Sequence, residues 1–376
     1  MKMVITQSNL TLKGGAERVV LKMAQHYDAE IYTAEYDPRN TYEEFSGLNV
    51  NVIKGSRVSG LVPYGRVMQG LSYGSAFYRF RVPRDYDIIN SHMAPSHWAR
   101  NLNERMIWYC NTPLREVYDM YHYRQSLRAA YKRPLYAVGA SVVRAIDMKI
   151  TKRIEHIFTN SKNTKQRVMR YLNRPDAEIL PGGIDYQGYF DDGDGKYFLY
   201  PSRISPNKRQ EYAINAFRIF KKQMAGYSLI LVGPISKDKF YNDYYKRILH
   251  LARSAGNVKI MGGVDEETLK GLYSRATAVL YPPMDEDYGL VPLEAMASRK
   301  PVIAVNTGGP RETITDGSTG FLVNSEKEMA DRMLRVARNL SDSAKMGRQG
   351  LDRVRRNYSW GQFFKKFDRG IAKVLS

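Results

Sequence analysis

Short apolar runs separated by polar or breaker-rich stretches set the rhythm of the first half of the chain. Val4 to Thr6, Glu30 to Thr33, Val50 to Ile53, Tyr86 to Asn90, Arg105 to Cys110 and Ile154 to Thr159 are each too brief for a helix, so they read as strands. After the pair Gly14-Gly15, the residues Ala16, Val19, Val20, Met23 and Ala24 recur at helical spacing. Strands alternating with helical or irregular stretches predict a parallel sheet covered on both faces, with ligands taken at the carboxyl ends of its strands.

The same alternation resumes further on. Tyr197 to Pro201 reads as a strand running into Ser202-Arg-Ile-Ser-Pro-Asn-Lys-Arg209, and Glu211 to Met224 follows as an amphipathic helix. Ser228 to Pro234, Val258 to Gly263, Ala276 to Tyr281, Pro301 to Val305 and Gly320 to Val323 supply further strands, followed by a basic helix to Leu340. Tyr358 to Phe367 carries a serine cap and an apolar stripe. Between the two halves, Tyr171 to Gly195 holds Pro175, Pro181, Gly182, Gly183, Gly188, Gly193 and Gly195, with four aspartates in 185–194, a density of breakers that marks a boundary. The expected class is α/β with two Rossmann-like domains, residues 1–185 and 195–355, and a C-terminal helix over 356–376.

Composition narrows the function. With 376 residues the chain is long enough for two cores, and no stretch approaches the roughly 18 apolar residues of a membrane span. It enters its first strand at once, without the apolar region of a signal peptide, which predicts a cytoplasmic protein. The single cysteine, Cys110, excludes an internal disulfide framework, and six scattered histidines without ligand spacing argue against a tightly held zinc. A net charge of +20 calls for an anionic partner: nucleotide phosphate, anionic lipid or nucleic acid. From Phe45 to Arg84 the cations Lys54, Arg57, Arg66, Arg79, Arg81 and Arg84 meet no acid. They are interleaved with Leu61, Val62, Tyr64, Met68, Leu71, Tyr73, Phe77, Tyr78 and Phe80. From Arg115 to Arg170 thirteen Lys or Arg face four Asp or Glu. Such stretches fit a surface against anionic lipid or, equally, a solvated basic exterior.

The chemistry concentrates in Tyr281 to Ala297. A strand stopped by Pro282-Pro283, then Gly289, then Pro292 in the first turn of a helix, makes the amides of Gly289, Leu290 and Val291 a helix N-terminus suited to a diphosphate. Glu286 and Glu294 bracket that position and could each accept hydrogen bonds from the paired hydroxyls of a sugar. Taken singly, Glu294 could equally complement the helix dipole and Glu286 be a solvated loop acid. Arg203 and Lys208, leaving the end of another strand, add a fork donor and a point charge.

The run Glu286-Asp-Tyr-Gly-Leu-Val-Pro-Leu-Glu294, followed by a strand and Gly308-Gly309-Pro-Arg-Glu312, resembles the E-x7-E signature of the retaining family four glycosyltransferases of GT-B fold. That resemblance implies two Rossmann-like domains with a donor cleft between them, and a C-terminal helix crossing back to the first domain. It implies Arg203, Lys208 and the amides at 289–291 on the donor diphosphate, Glu294 on the ribose and Glu286 on the donor sugar. It further implies Gly15 facing the diphosphate, His92 rather than His97 at the reaction centre, front-side attack and no metal. Trp108-Tyr-Cys-Asn-Thr-Pro-Leu-Arg-Glu-Val-Tyr-Asp119 resembles a stretch of mannosyltransferases that extend lipid-linked or surface polysaccharides, with Asn111 where those have histidine. The implied reaction is transfer from a nucleoside diphosphate sugar to a lipid-linked or polysaccharide hydroxyl. GDP-mannose is favoured and a UDP-sugar stays open, with the enzyme peripheral at the inner face of a membrane. A phosphorylase or epimerase is the alternative within enzymes. A nucleic-acid binder is the other class, and no nucleic-acid module is legible.

Overall fold

The computed structural model describes residues 1–54, 65–126, 128–235 and 239–376, with the side chains of 65–69 and 239–240 left out. Of the basic-aromatic tract, Arg57, Leu61, Val62 and Tyr64 therefore lie outside the described residues, as do the side chains of Arg66 and Met68. The chain divides into two compact units, Met1–Gly182 with Phe364–Ser376, and Gly183–Phe363.

The first unit carries β1 (Met3–Gln7), α1 (Gly15–Tyr27), β2 (Glu30–Thr33), β3 (Val50–Val52), α2 (Gly65–Tyr78), β4 (Ile88–Ser91), β5 (Met106–Cys110), α3 (Tyr121–Ser126), α4 (Arg133–Thr151), β6 (His156–Thr159), α5 (Lys162–Leu172) and β7 (Glu178–Ile179). Its seven parallel strands lie in the order β3-β2-β1-β4-β5-β6-β7. The central strands are buried at every position, as expected for parallel strands covered on both faces. Val19, Val20, Met23 and Ala24 of α1 are all buried, so the helical spacing in the sequence marks the face on the sheet.

The second unit continues with β8 (Tyr197–Pro201), α6 (Gln210–Lys221), β9 (Ser228–Val232), α7 (Lys239–Ala255), β10 (Val258–Met261), α8 (Glu266–Ser274), β11 (Ala278–Tyr281), α9 (Val291–Ala297), β12 (Val302–Val305), α10 (Pro310–Thr313), β13 (Gly320–Val323), α11 (Glu326–Arg338) and α12 (Leu340–Asn357). The parallel order is β10-β9-β8-β11-β12-β13, the same plan as the first sheet without its last edge strand. The last helix, α13 (Trp360–Leu375), begins in this unit, and from Phe364 onward its residues belong to the first. There Phe364 stacks on His26 at 3.7 Å, and Phe367 is fully buried within 6 Å of the rings of Tyr27 and Phe158.

The breaker-rich tract is not a free linker. The division falls at Gly182–Gly183, and residues 183–195 belong to the second unit because tertiary partners hold their acids. Lys300 Nζ, itself nearly buried, donates to Asp191 Oδ1 at 2.5 Å and to Gly193 O at 2.7 Å. Arg275 Nε donates to Asp192 at 2.6 Å, and Thr277 Oγ1 donates to Asp194. A charge-assisted contact of this kind fixes backbone that composition alone would leave mobile.

Candidate active site

In each sheet the strand order reverses beside the first strand of the unit, between β1 and β4 and between β8 and β11. Loops leaving the carboxyl ends of those strands part there and leave a crevice. In the second unit the two loops are 202–209, after β8, and 282–290, after β11.

The first of these loops is held by backbone. Ser202 N donates to Val232 O at 2.8 Å and Ile204 N to Pro234 O at 3.1 Å, which ties it to the neighbouring loop after β9. Gln210 Nε2 donates to Arg203 O at 2.9 Å, fixing the Arg203 backbone while its side chain is exposed. Tyr200, fully buried in β8, donates its hydroxyl to Lys208 O, and burial holds that phenol protonated with a pKa well above its usual value. Lys208 Nζ lies 2.5 Å from Glu286 Oε2 on the opposite loop, with 13% and 27% of the two side chains exposed. A lysine and a carboxylate 78 residues apart thus meet where the sheet order reverses.

Glu286 is fixed from two further sides. Its carbonyl accepts from Gly309 N at 2.8 Å, which presses the turn after β12 against this loop. A Cβ on Gly309 would lie 2.1 Å from Tyr288 O, so only glycine permits the approach. Its side chain also meets the Tyr281 hydroxyl at the end of β11. Burial first, then the Glu286 charge, pushes the Tyr281 pKa well up and keeps that hydroxyl a donor. Gly289, at φ +83°, turns the chain into α9, and a Cβ there would lie 2.8 Å from Tyr281 Oη. In α9 the bond from Glu294 N to Leu290 O, at 2.9 Å, comes after the amides of Gly289, Leu290 and Val291, and Pro292 sits in the first turn. Glu294 Oε2 accepts from the Tyr273 hydroxyl at 2.6 Å. Each acid of the E-x7-E run is therefore steadied by a buried tyrosine, Tyr281 for Glu286 and Tyr273 for Glu294. The strand periodicity made Tyr281 visible as a strand end, but nothing in the sequence linked either tyrosine to its acid.

The remaining residues singled out in the sequence lie in the first unit. Gly15 opens α1, exposed, with Gly14 as the extended cap. His92 follows β4 directly, at the carboxyl edge, yet its side chain does not emerge and is 0% exposed. Trp108 Nε1 donates to its carbonyl at 2.8 Å, Asn90 Nδ2 lies 2.9 Å from its Nε2, and the Tyr109 ring lies 5.5 Å away. That burial lowers its pKa to about 3, so the ring is neutral. His97 is tied into the interior instead: it stacks on Trp108 at 3.9 Å, and its Nε2 lies 2.8 Å from Asp147, which also accepts from Trp98 and Tyr118. Asn111 is part-buried, and its carbonyl accepts from Asn160 and Thr164. Within the same stretch Arg115 pairs with Asp119 at 2.9 Å. Among the described residues no group of three His, Cys, Asp or Glu side chains could hold a metal ion.

Known proteins match both halves of the chain. Residues 13–187 match the family model Glycosyltransferase Family 4, and residues 187–353 match Glycosyl transferases group 1. The chain is similar to the alpha-1,3/1,6-mannosyltransferase ALG2 of Dictyostelium discoideum, 25% identical over 411 aligned positions that cover 96% of each chain. To ALG2 of Homo sapiens it is 25% identical over 406 positions, 96% of this chain and 94% of the relative. Its fold is that of Anabaena Alr3699/HepE in complex with UDP and glucose, with TM-score 0.76, 16% identity and 99% of each chain covered. It is also that of sucrose-phosphate synthase from Thermosynechococcus elongatus, with TM-score 0.78, 17% identity and coverage of 100% and 99%. Two parallel Rossmann-like sheets, a family model matched on each half and relatives along the whole chain make this protein a glycosyltransferase of GT-B architecture and a hexosyltransferase.

Proposed function

We propose that the enzyme transfers mannose from GDP-mannose to a hydroxyl of a lipid-linked or polysaccharide acceptor, with retention at the anomeric carbon. Mannose is supported by the mannosyltransferase relatives. A UDP-sugar donor stays the second reading, because the Anabaena protein of the same fold holds UDP and glucose.

The observation that carries the reading is the Lys208–Glu286 pair at the carboxyl ends of β8 and β11, beside the start of α9. A diphosphate entering there takes Lys208 as its cation, with Arg203 from the same loop and the amides of Gly289, Leu290 and Val291. Glu286 is then released toward the hydroxyls of the donor sugar, and Glu294 accepts from the ribose. The anomeric C–O bond to phosphate breaks as the acceptor oxygen bonds to the same face, and the departing phosphate takes the acceptor proton. Cations and oriented dipoles already present meet the leaving charge, so we assign no metal to the step. Gly15, at the start of α1, is assigned to donor binding. His92, neutral and fully buried, is assigned a positioning role behind the β4 edge rather than proton transfer. We further assign the enzyme to a membrane surface as a peripheral protein; among the described residues no helix is long and apolar enough to cross a membrane.

The test is a thermal-stabilisation panel with GDP, UDP, ADP and their mannose, glucose, galactose and N-acetylglucosamine conjugates, repeated with a chelator. GDP and GDP-mannose should give the largest shifts, unchanged by chelation. A larger shift with UDP-sugars overturns the base assignment, and a loss of the shift on chelation overturns the metal-independent one.

A further inference from the structure

The outward face of α4 carries a large amount of unexplained apolar surface. Leu135 is 78% exposed, Val138 63%, Val142 53% and Met148 37%, and Tyr131, just before the helix, is 79% exposed. At about 100° per residue these positions, together with Pro134 and Ala145, fall on one strip along the helix. The opposite face holds Tyr136, Ala140, Val143, Asp147 and Ile150 in the interior, so α4 is apolar on both sides. An apolar strip of this extent on the outward face of a helix is normally covered.

Charge is arranged about the strip. Lys132 and Arg133 stand at its N-terminal end, and Lys149, Lys152 and Arg153 at its C-terminal end, all exposed. Between Met120 and Ile154 the sole acid in the sequence is Asp147, which is buried beneath the helix and bonded to His97, Trp98 and Tyr118. The surface is an apolar ridge with cations at both ends and no exposed acid along it. Two copies of this face packed antiparallel would bring Lys149 and Lys152 against Lys132 and Arg133, like charges at both ends. An anionic bilayer matches both parts at once: the ridge enters the headgroup boundary and the flanking cations meet lipid phosphates.

We propose that α4 is the membrane-docking element of the enzyme, lying in the plane of an anionic bilayer with Leu135, Val138, Val142 and Met148 inserted. In the first basic tract, Tyr73 and Phe77 of α2 are core residues instead. The proposal makes the membrane reading specific to one face, and it stands apart from the assignment of the donor.

Vesicle sedimentation tests it. The wild type should pellet with phosphatidylcholine vesicles containing phosphatidylglycerol, and not with phosphatidylcholine alone. Lys149→Glu with Lys152→Glu should weaken partition at least about 25-fold, taking about fivefold for each lost cation. Leu135→Glu with Val142→Glu should weaken it by roughly a hundredfold, and both positions are exposed, so the fold tolerates them. Both double variants should keep the nucleotide-induced thermal shift, which separates failure of this surface from failure of the donor reading. Wild-type partition indifferent to phosphatidylglycerol, or either variant pelleting like the wild type, overturns the proposal. So does a wild-type dimer in lipid-free buffer that Leu135→Glu with Val142→Glu dissociates.

Discussion

If Lys208 is held by Glu286 until the diphosphate displaces it, replacing Glu286 should move binding and turnover in opposite directions. The two side chains meet at 2.5 Å and are largely but not wholly shielded from water. Their attraction is therefore placed near the upper end of exposed pairs, about 1 kcal/mol. In Glu286→Gln the amide competes less well for Nζ, and a negative charge is removed from beside an anionic ligand. Both effects favour the nucleoside diphosphate, which should bind about fivefold more tightly. Turnover should fall roughly a hundredfold, because the charged acceptor for the donor sugar is lost. Titration calorimetry with GDP and UDP reads the first effect, and single-turnover transfer reads the second. In a Lys208→Met background the gain from Glu286→Gln should shrink, since there is no longer a cation to release. Unchanged or weaker nucleotide binding by Glu286→Gln would refute the displacement argument, whatever happens to turnover.

Other perturbations give distinct readouts. Arg203→Ala and Lys208→Ala should each lower transfer by roughly a hundredfold, the scale of losing one oriented charge stabiliser, with the thermal midpoint little changed. Gly309→Ala should push away the loop that carries Glu286, because the new Cβ meets Tyr288 O at 2.1 Å; activity should fall at least tenfold, roughly the scale of misplacing a reacting group. Phe367→Ala, in a fully buried site against Tyr27 and Phe158, should cost about 3–5 kcal/mol in urea unfolding of the first unit. His92 has a folded pKa of about 3, below its unfolded value of about 6.5, so the unfolded chain binds the extra proton between these limits. Its contribution to stability is thus present above pH 6.5 and is lost as pH falls toward 3, at up to about 1.4 kcal/mol per pH unit. His92→Gln should flatten that part of the stability profile, and an unaltered acid limb would count against the neutral ring.

The sequence revealed the strands well because parallel strands buried on both faces leave continuous apolar runs, as in Ala278–Tyr281 and Val302–Val305. It missed β7, whose two residues, one of them exposed, are too few to show any period. It gave α4 no helical stripe, since Leu135, Val138 and Val142 fill the face that would have been polar. Asp191, Asp192 and Asp194 read only as part of a boundary because their partners Lys300, Arg275 and Thr277 lie more than 80 residues on. At the site, the glycine turn and the helix start after β11 were legible from local backbone rules. The contact between Lys208 and Glu286, and the tyrosines behind each acid, come from tertiary packing that local spacing does not encode. His92 shows the same limit: its place after β4 was readable, its burial was not.

The assignment of residues 364–376 to the first unit also shapes how the protein is made. A ribosome translating residues 183–363 has already released the strands of the first unit, but not the aromatic side chains that cover His26 and Phe158. Throughout that interval Tyr27 and Phe158 lack the Phe367 ring that packs on them, and this contact waits for synthesis to reach Phe367. Chaperone engagement during translation should therefore persist until the last helix emerges, rather than ending when the first sheet is complete.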